Sequence, residues 1–263
     1  MLHPSKPSRE KIMVYGAPDT GKTTGWLQIA ETLRKGGATK ADVRFWVIDT
    51  DYTVDRSIEE YPELLESGIV ASATCPDWPT VVRTMQRYKA QVGSRPNDWI
   101  VVDMINPVWD YVQEDFIERT SGKDSEDFFM AHRLSLKTGS PLDGFKDWGV
   151  INKFYQGKFA VPLKQMPCHT FVVASGKAVS RDLDPKHLVD MYGVVGMRPT
   201  GQKDTSHQQH SVLLLRKRAG MRADAPSWTV TTLKERAGRK RLEQADAGNF
   251  AISYLVRVAG WRP

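Results

Sequence analysis

"VYGAPDTGKTTGWLQ", Val14 to Gln28, decides the fold class, because an apolar run ends in a glycine-bounded loop and that loop opens an amphipathic helix. Gly16-Ala17-Pro18-Asp19-Thr20-Gly21-Lys22-Thr23 matches G-x-x-x-x-G-K-[ST] throughout, with a strand before it and a helix after it. The glycines let consecutive backbone N–H groups turn inward on an anion, and the helix N-terminus adds partial positive charge at the same point. Gly16 through Thr24 therefore read as phosphate-binding residues. Lys22 would reach the β- and γ-phosphates and the Thr23 hydroxyl would ligate Mg²⁺. A plain strand-turn-helix, with Gly, Lys and Thr serving only turn and capping needs, is disfavoured by the full match in context.

Working outward, short apolar runs recur at 11–15, 43–49, 98–104, 169–175 and 210–218, with helical or polar stretches between them. That alternation predicts an α/β fold, a mostly parallel sheet flanked by helices. The alternating stretch 227–234 predicts a further strand near a sheet edge. Helices are expected over 22–35, 78–92, 147–165 and 242–258. The acidic, aromatic-rich segment 106–147 is long for a connection and reads as an inserted subdomain or lid. The stretch 191–209, rich in Gly, Pro and polar residues, reads as a mobile loop. The expected organisation is a short tail, 1–10, and one domain over 11–263.

With 263 residues, 40% of them hydrophobic, the chain can bury the core of one such domain. The net charge is +6, and it is unevenly placed. Residues 216–263 hold eleven Lys or Arg against four acids, so this C-terminal region carries the whole basic excess and permits an acidic partner such as nucleic acid. Cys75 and Cys168 stand in no metal-ligand or disulfide pattern. No apolar run is long enough to span a bilayer, and the polar start lacks a signal-peptide core. A cytoplasmic protein is expected.

Two strand ends supply carboxylates. "NDWIVVDM" (97–104) ends in Asp103, where a carboxylate can hold the water shell of Mg²⁺ at the carboxyl edge of the sheet. "FWVIDTDYTVD" (45–55) ends in Asp49 and Asp51, and an acid there can orient or deprotonate the water that attacks a γ-phosphate. Asp51 is the choice for that role; the alternative is that both acids merely begin the next turn or helix.

This arrangement resembles the RecA-like branch of P-loop ATPases, in which the water-activating acid follows the strand after the phosphate-loop helix. "IDTDYTVD" is similar to the family's I-D-x-E segment, with Asp51 where the family usually has Glu. Residues 147–177 are similar to the helix and sensor strand of phage-encoded RecA-like proteins, a group described as single-strand annealing ATPases. The resemblance covers roughly 10 to 240. It implies ATP and Mg²⁺ as cofactors, single-stranded DNA as a partner, a homo-oligomeric ring or filament, and annealing or recombination in a bacterial host cell. No N-K-x-D guanine-reading motif is present, which leaves ATP as the default nucleotide.

Three further expectations follow from the same resemblance. Lys234-Glu235-Arg236 is similar to a Lys-x-Arg pair that reaches a neighbouring subunit's nucleotide, where a cation stabilises γ-phosphoryl charge only in the assembly. A solvated basic turn is the competing reading, and Arg239, Lys240 and Arg241 are equally suited to nucleic-acid phosphates. The loop 196–210 is where such proteins place a DNA-binding segment and a polar γ-phosphate sensor, with Lys203, His207, Gln208, Gln209 and His210 as candidates and Gln209 or His210 preferred. That loop offers no aromatic stacking platform beyond Tyr192, so DNA contact through Lys and Arg is expected. Trp46, Trp99 and Trp148 read as core or packing residues; for Trp109, Trp228 and Trp261 surface anchoring is the alternative to the same favoured reading. The acidic insert suits a protein partner or another subunit. A phage packaging or helicase-loading motor would share every motif, and a small-molecule kinase or a nucleotide switch remains a rival.

Overall fold

A computed structural model describes residues 9–93, 95–132, 142, 146–217, 228–236, 238 and 241–262. In chain order the described elements begin with β1 (Lys11–Gly16), α1 (Lys22–Lys35), β2 (Phe45–Asp49), α2 (Val54–Ile58), α3 (Pro62–Glu66), β3 (Val70–Thr74) and α4 (Trp78–Val92). They continue with β4 (Trp99–Asp103), α5 (Ile105–Ser121), α6 (Ser125–His132), α7 (Asp147–Tyr155), α8 (Val161–Gln165), β5 (His169–Ala178) and α9 (Lys186–Tyr192). The chain closes with β6 (Met197–Pro199), α10 (Thr205–Gln208), β7 (Ser211–Lys217), β8 (Trp228–Glu235), β9 (Ala245–Asp246) and α11 (Phe250–Arg257).

The strands form one sheet in the order β3-β2-β4-β5-β1-β7-β8-β9, with β6 paired to the end of β5. All pairings from β3 to β7 are parallel, and β8, β9 and β6 join antiparallel. This is the expected α/β class. The buried central strands divide their side chains by the two-residue period of a pleated strand. Ile12, Val14, Phe45, Val47, Trp99, Val101, Phe171 and Val173 pack on the face covered by α1 and α11. Met13, Tyr15, Trp46, Ile48, Ile100, Val102, Val172 and Ala174 pack on the face covered by α4, α5 and α7. Gly25 lets α1 meet α11 closely, since a Cβ there would lie 2.3 Å from the Phe250 ring.

The amino edge of the sheet is pinned by Asp98, fully buried. Its carboxylate accepts from the Arg44 N–H at 2.9 Å, Trp46 Nε1 at 2.8 Å and Arg95 Nε at 2.8 Å. Buried bonds to a charged group of this kind contribute roughly 1.5–3 kcal/mol each. They tie the entrances of β2 and β4 together.

Four expectations change. The segment 106–147 is not wholly an insert: α5 begins directly after β4, and its Val108, Val112, Phe116 and Ile117 belong to the core. The stretch 191–209 is mostly regular, holding the end of α9, β6 and α10. The helix expected over 242–258 starts only at Phe250, because Ala245 and Asp246 pair with Val230 and Thr229 as an edge strand. The edge strand β3, "VASAT", went unread because small and polar residues on an exposed edge carry little hydrophobic signal. The helical run 147–165 holds, with a π turn at Gln156–Ala160 ahead of Pro162.

Candidate functional site

The carboxyl edge of the sheet gathers the ends of β1, β2, β4 and β5. Gly16 stands level with Ser175 of β5 and Leu215 of β7, so close that a Cβ would lie 2.4 Å from the Leu215 carbonyl oxygen and 2.9 Å from Thr20 Oγ1. Only glycine fits there. The loop then turns through left-handed residues, Asp19 at φ 57° and Gly21 at φ 78°, and enters α1 at Lys22. Successive N–H groups in such a turn form a concave anion cradle.

Lys22 is folded onto this loop. Its Nζ donates to the Ala17 carbonyl at 2.7 Å, and Thr20 Oγ1 donates to the same oxygen at 2.9 Å. Burial lowers the Lys22 pKa, opposed by the negative charges of Asp103, Asp19 and Asp51. The ammonium is therefore incompletely solvated, and its charge is favoured only by carboxylates within electrostatic reach.

Asp103 is fully buried at the end of β4. Trp26 Nε1, from α1, donates to its Oδ2 at 3.0 Å, while Oδ1 is buried without a hydrogen-bond partner. Burial pushes its pKa up to about 6; Trp26 and Thr23 pull the other way, and Asp49 and Asp51 add to the rise. A hydroxyl beside an orphaned carboxylate oxygen, next to an anion cradle, is an oxygen donor set that fits Mg²⁺. Thr23 and Asp103 would hold the ion.

Asp49 and Asp51 are placed differently. Asp49 is buried, and its carboxylate accepts from the Asp51 N–H at 3.1 Å and the Val54 N–H at 3.3 Å. It builds the turn into α2. Asp51 is exposed on the outside of that turn, where its charge acts on both Lys22 and Asp103. The Thr50 hydroxyl accepts from the Met104 N–H at 2.9 Å and thereby joins this turn to the end of β4; the Asp103–Met104 peptide is cis.

Residues beyond the motifs complete the edge. Asn106 Oδ1 accepts from the Ser175 N–H at 3.2 Å, and the Thr200 N–H and hydroxyl both donate to the Ser175 carbonyl. Gly176 admits β6, since a Cβ there would lie 2.5 Å from Met197 Sδ. Arg198 in β6 is buried and paired with Asp184 at 2.5 Å. The segment 197–204 is thus fastened beside the phosphate loop. Between it, α5 and α7 lies a cavity of about 960 Å³. Trp109 and Trp148 stack across its wall with centroids 6.2 Å apart, and Asn152, Gln156, Lys177 and Lys203 supply polar and basic groups. Trp148 is half-buried and packs against the core from its edge, so α5 and α7 present an aromatic surface that the loop itself lacks. Single-residue patterns carried no signal for this, because the two tryptophans are brought together only by helix packing.

The preferred phosphate sensors must be corrected. The His210 N–H bonds to the Lys11 carbonyl, so Gln209 and His210 precede β7 at the amino edge, a full strand length of about 17 Å from the phosphate loop. Gln209 is buried there. A residue before a parallel strand lies at the edge opposite a site built on strand ends. Ser175, in register with Gly16 on the adjacent strand, is the polar residue that stands level with the start of the phosphate loop.

Lys234 and Arg236 are also at the amino edge, because β8 runs antiparallel to β7 and sets Lys234 against Val212. Lys234 Nζ donates to the Ser206 and His207 carbonyls at 2.9 Å each, and Arg236 also donates to the His207 carbonyl. Burial and the neighbouring Arg236 lower the Lys234 pKa to about 8. Neither cation reaches the phosphate loop of its own chain. A reach into a neighbouring subunit would start from this far edge and first release these bonds. Arg239 and Lys240 lie outside the described residues, whereas Arg241 is exposed. Trp261 is buried against Trp99 and His169, the favoured packing reading.

No protein-family model matches the chain, and no curated protein matches it. Among solved structures it is similar to a KaiC-like protein from the hyperthermophilic archaeon Pyrococcus horikoshii OT3, at 11% identity and a TM-score of 0.49, with 92% of this chain and 93% of that chain covered. Among the described residues no helix is long and apolar enough to cross a membrane.

Proposed function

We propose that this chain is an Mg-ATP-dependent RecA-like ATPase that binds single-stranded DNA beside its nucleotide and promotes annealing or recombination. The observation that carries the nucleotide reading is the pairing of a complete phosphate cradle with a buried carboxylate whose Oδ1 has no donor. A bound Mg²⁺ would supply charge neutralisation between the β- and γ-phosphates. Lys22 would move from the Ala17 carbonyl to phosphate oxygens, and Asp51 would orient water at the γ-phosphate.

Asp51→Asn should keep nucleotide binding and lower turnover by roughly 10²- to 10⁴-fold, the usual contribution of a positioned base. Steady-state phosphate release beside equilibrium nucleotide binding checks it. Unchanged turnover would transfer the role to another group.

The DNA reading draws support from the cavity. Its stacked tryptophans suit unpaired bases, and Lys177 and Lys203 suit the backbone. Because Ser175 and Asn106 link its wall to the phosphate loop, nucleotide state and DNA affinity would be coupled. Single strands should stimulate hydrolysis and promote larger assemblies, and Trp109→Ala should weaken DNA binding by about 1–3 kcal/mol. DNA titration with tryptophan fluorescence and sizing tests both. Indifference of binding, turnover and assembly to DNA would favour a phosphoryl acceptor in the same cavity, since a concave polar pocket beside a phosphate loop also fits a small-molecule kinase.

A further inference from the structure

At the cavity lined by His187 and Asp204, these two residues converge with His207. His187 belongs to the first turn of α9, Asp204 precedes α10, and His207 lies within α10. One ligand atom from each falls within 4.8 Å of the others, with His187 Nε2 3.7 Å from Asp204 Oδ1 and the imidazole centroids 5.3 Å apart. Ligands on a tetrahedral zinc ion at about 2.0–2.2 Å stand about 3.4 Å from one another. Small side-chain rotations would close the observed triangle.

We propose that His187, Asp204 and His207 bind a divalent transition metal of the zinc class. Two imidazoles and one carboxylate form the donor set favoured by Zn²⁺ and Co²⁺, and not the all-oxygen set of Mg²⁺ or Ca²⁺. A separate observation points the same way: His207 Nε2 is buried and has no hydrogen-bond partner, a polar atom whose burial is costly unless something binds it. The surroundings prepare the ligands. Gln202 Nε2 donates to Asp204 Oδ2 at 3.4 Å, and Gln202 Oε1 accepts from the Asp204 N–H at 2.7 Å, so the carboxylate is held in place. Lys234 and Arg236 grip the His207 carbonyl from β8 and the residue after it, so α10 is already anchored while α9 supplies the third ligand.

Three protein ligands leave a fourth position for water. His187 and Asp204 also line the 960 Å³ cavity, so the ion would clip α9 to α10 at its rim and add a positive charge there. The cluster is separate from Thr23 and Asp103, and metal uptake does not depend on the nucleotide reading.

The test uses the full chain without nucleotide. Co²⁺ titration should give the visible absorption of a tetrahedral site at one ion per chain, and Zn²⁺ should abolish it by displacement. His187→Gln and His207→Gln should each weaken uptake at least tenfold, whereas Asp103→Asn should leave it intact. Circular dichroism verifies that each variant is folded. Absence of stoichiometric Zn²⁺ or Co²⁺ uptake by the unmodified chain overturns the proposal, as does uptake undiminished in either histidine variant. The first result needs no variant to fold.

Discussion

Replacing Lys22 with Ala should lower ATP turnover by roughly a hundredfold to a thousandfold, the loss that follows removal of one preorganised donor to developing negative charge. Nucleotide affinity should fall with it, because the same ammonium serves the ground-state phosphates. Stability of the ligand-free protein should barely change. Lys22 donates to the Ala17 carbonyl, but Thr20 Oγ1 donates to that oxygen too, at 2.9 Å, so truncation leaves no buried acceptor unpaired. It also removes an ammonium whose charged form is disfavoured by burial. The measurement is phosphate release by both proteins beside their thermal unfolding without ligand. A large loss of turnover at an unchanged midpoint is the expected pair of results, and undiminished turnover would place hydrolysis outside this loop.

The parts of the site visible in the sequence are those in which a single local stretch carries both structure and chemistry. The phosphate loop is one such stretch, since the glycines that permit the turn and the lysine proposed to meet the anion lie within eight residues. The buried strands ending in Asp49 and Asp103 are two more, because continuous apolar runs mark parallel strands and a parallel strand ends at the site. Their in-register pairing then sets the two acids side by side. What the sequence left open depends on strand direction and on distant packing. Lys234 lies near the end of an antiparallel strand and Arg236 just after it, and no local pattern reveals that β8 reverses. Gln209 and His210 are different: strand entrances and strand exits of a parallel sheet lie on opposite edges, so residues that precede the parallel β7 stand far from the loop. Trp109 and Trp148 are 39 positions apart on separate helices, and neither period nor composition announces that they stack.

Asp103→Asn should do two opposed things at once. Turnover should fall by about a hundredfold or more, since the buried carboxylate at the end of β4 would be replaced by an amide with no charge to offer a cation. The ligand-free protein should become more stable near neutral pH. In the native state Asp103 titrates at about 6, against 3.8 for the exposed group, chiefly because burial penalises its charge. Between those values the native state binds more protons than the unfolded state, so stability falls as pH rises from about 4 to 6 and is flat, for this group, above that. The two-unit difference corresponds to about 3 kcal/mol. Asparagine keeps an acceptor for Trp26 Nε1 and sheds the buried charge. Denaturant unfolding of both proteins across pH 4 to 7.5 measures the difference, which should be largest above pH 6 and shrink toward pH 4. A difference that does not change with pH would mean that Asp103 is not the titrating group. In the unmodified chain Mg²⁺ with nucleotide should add stability beyond nucleotide alone, and in the variant that increment should vanish. The charge that weakens the empty fold is then the one that the loaded site uses.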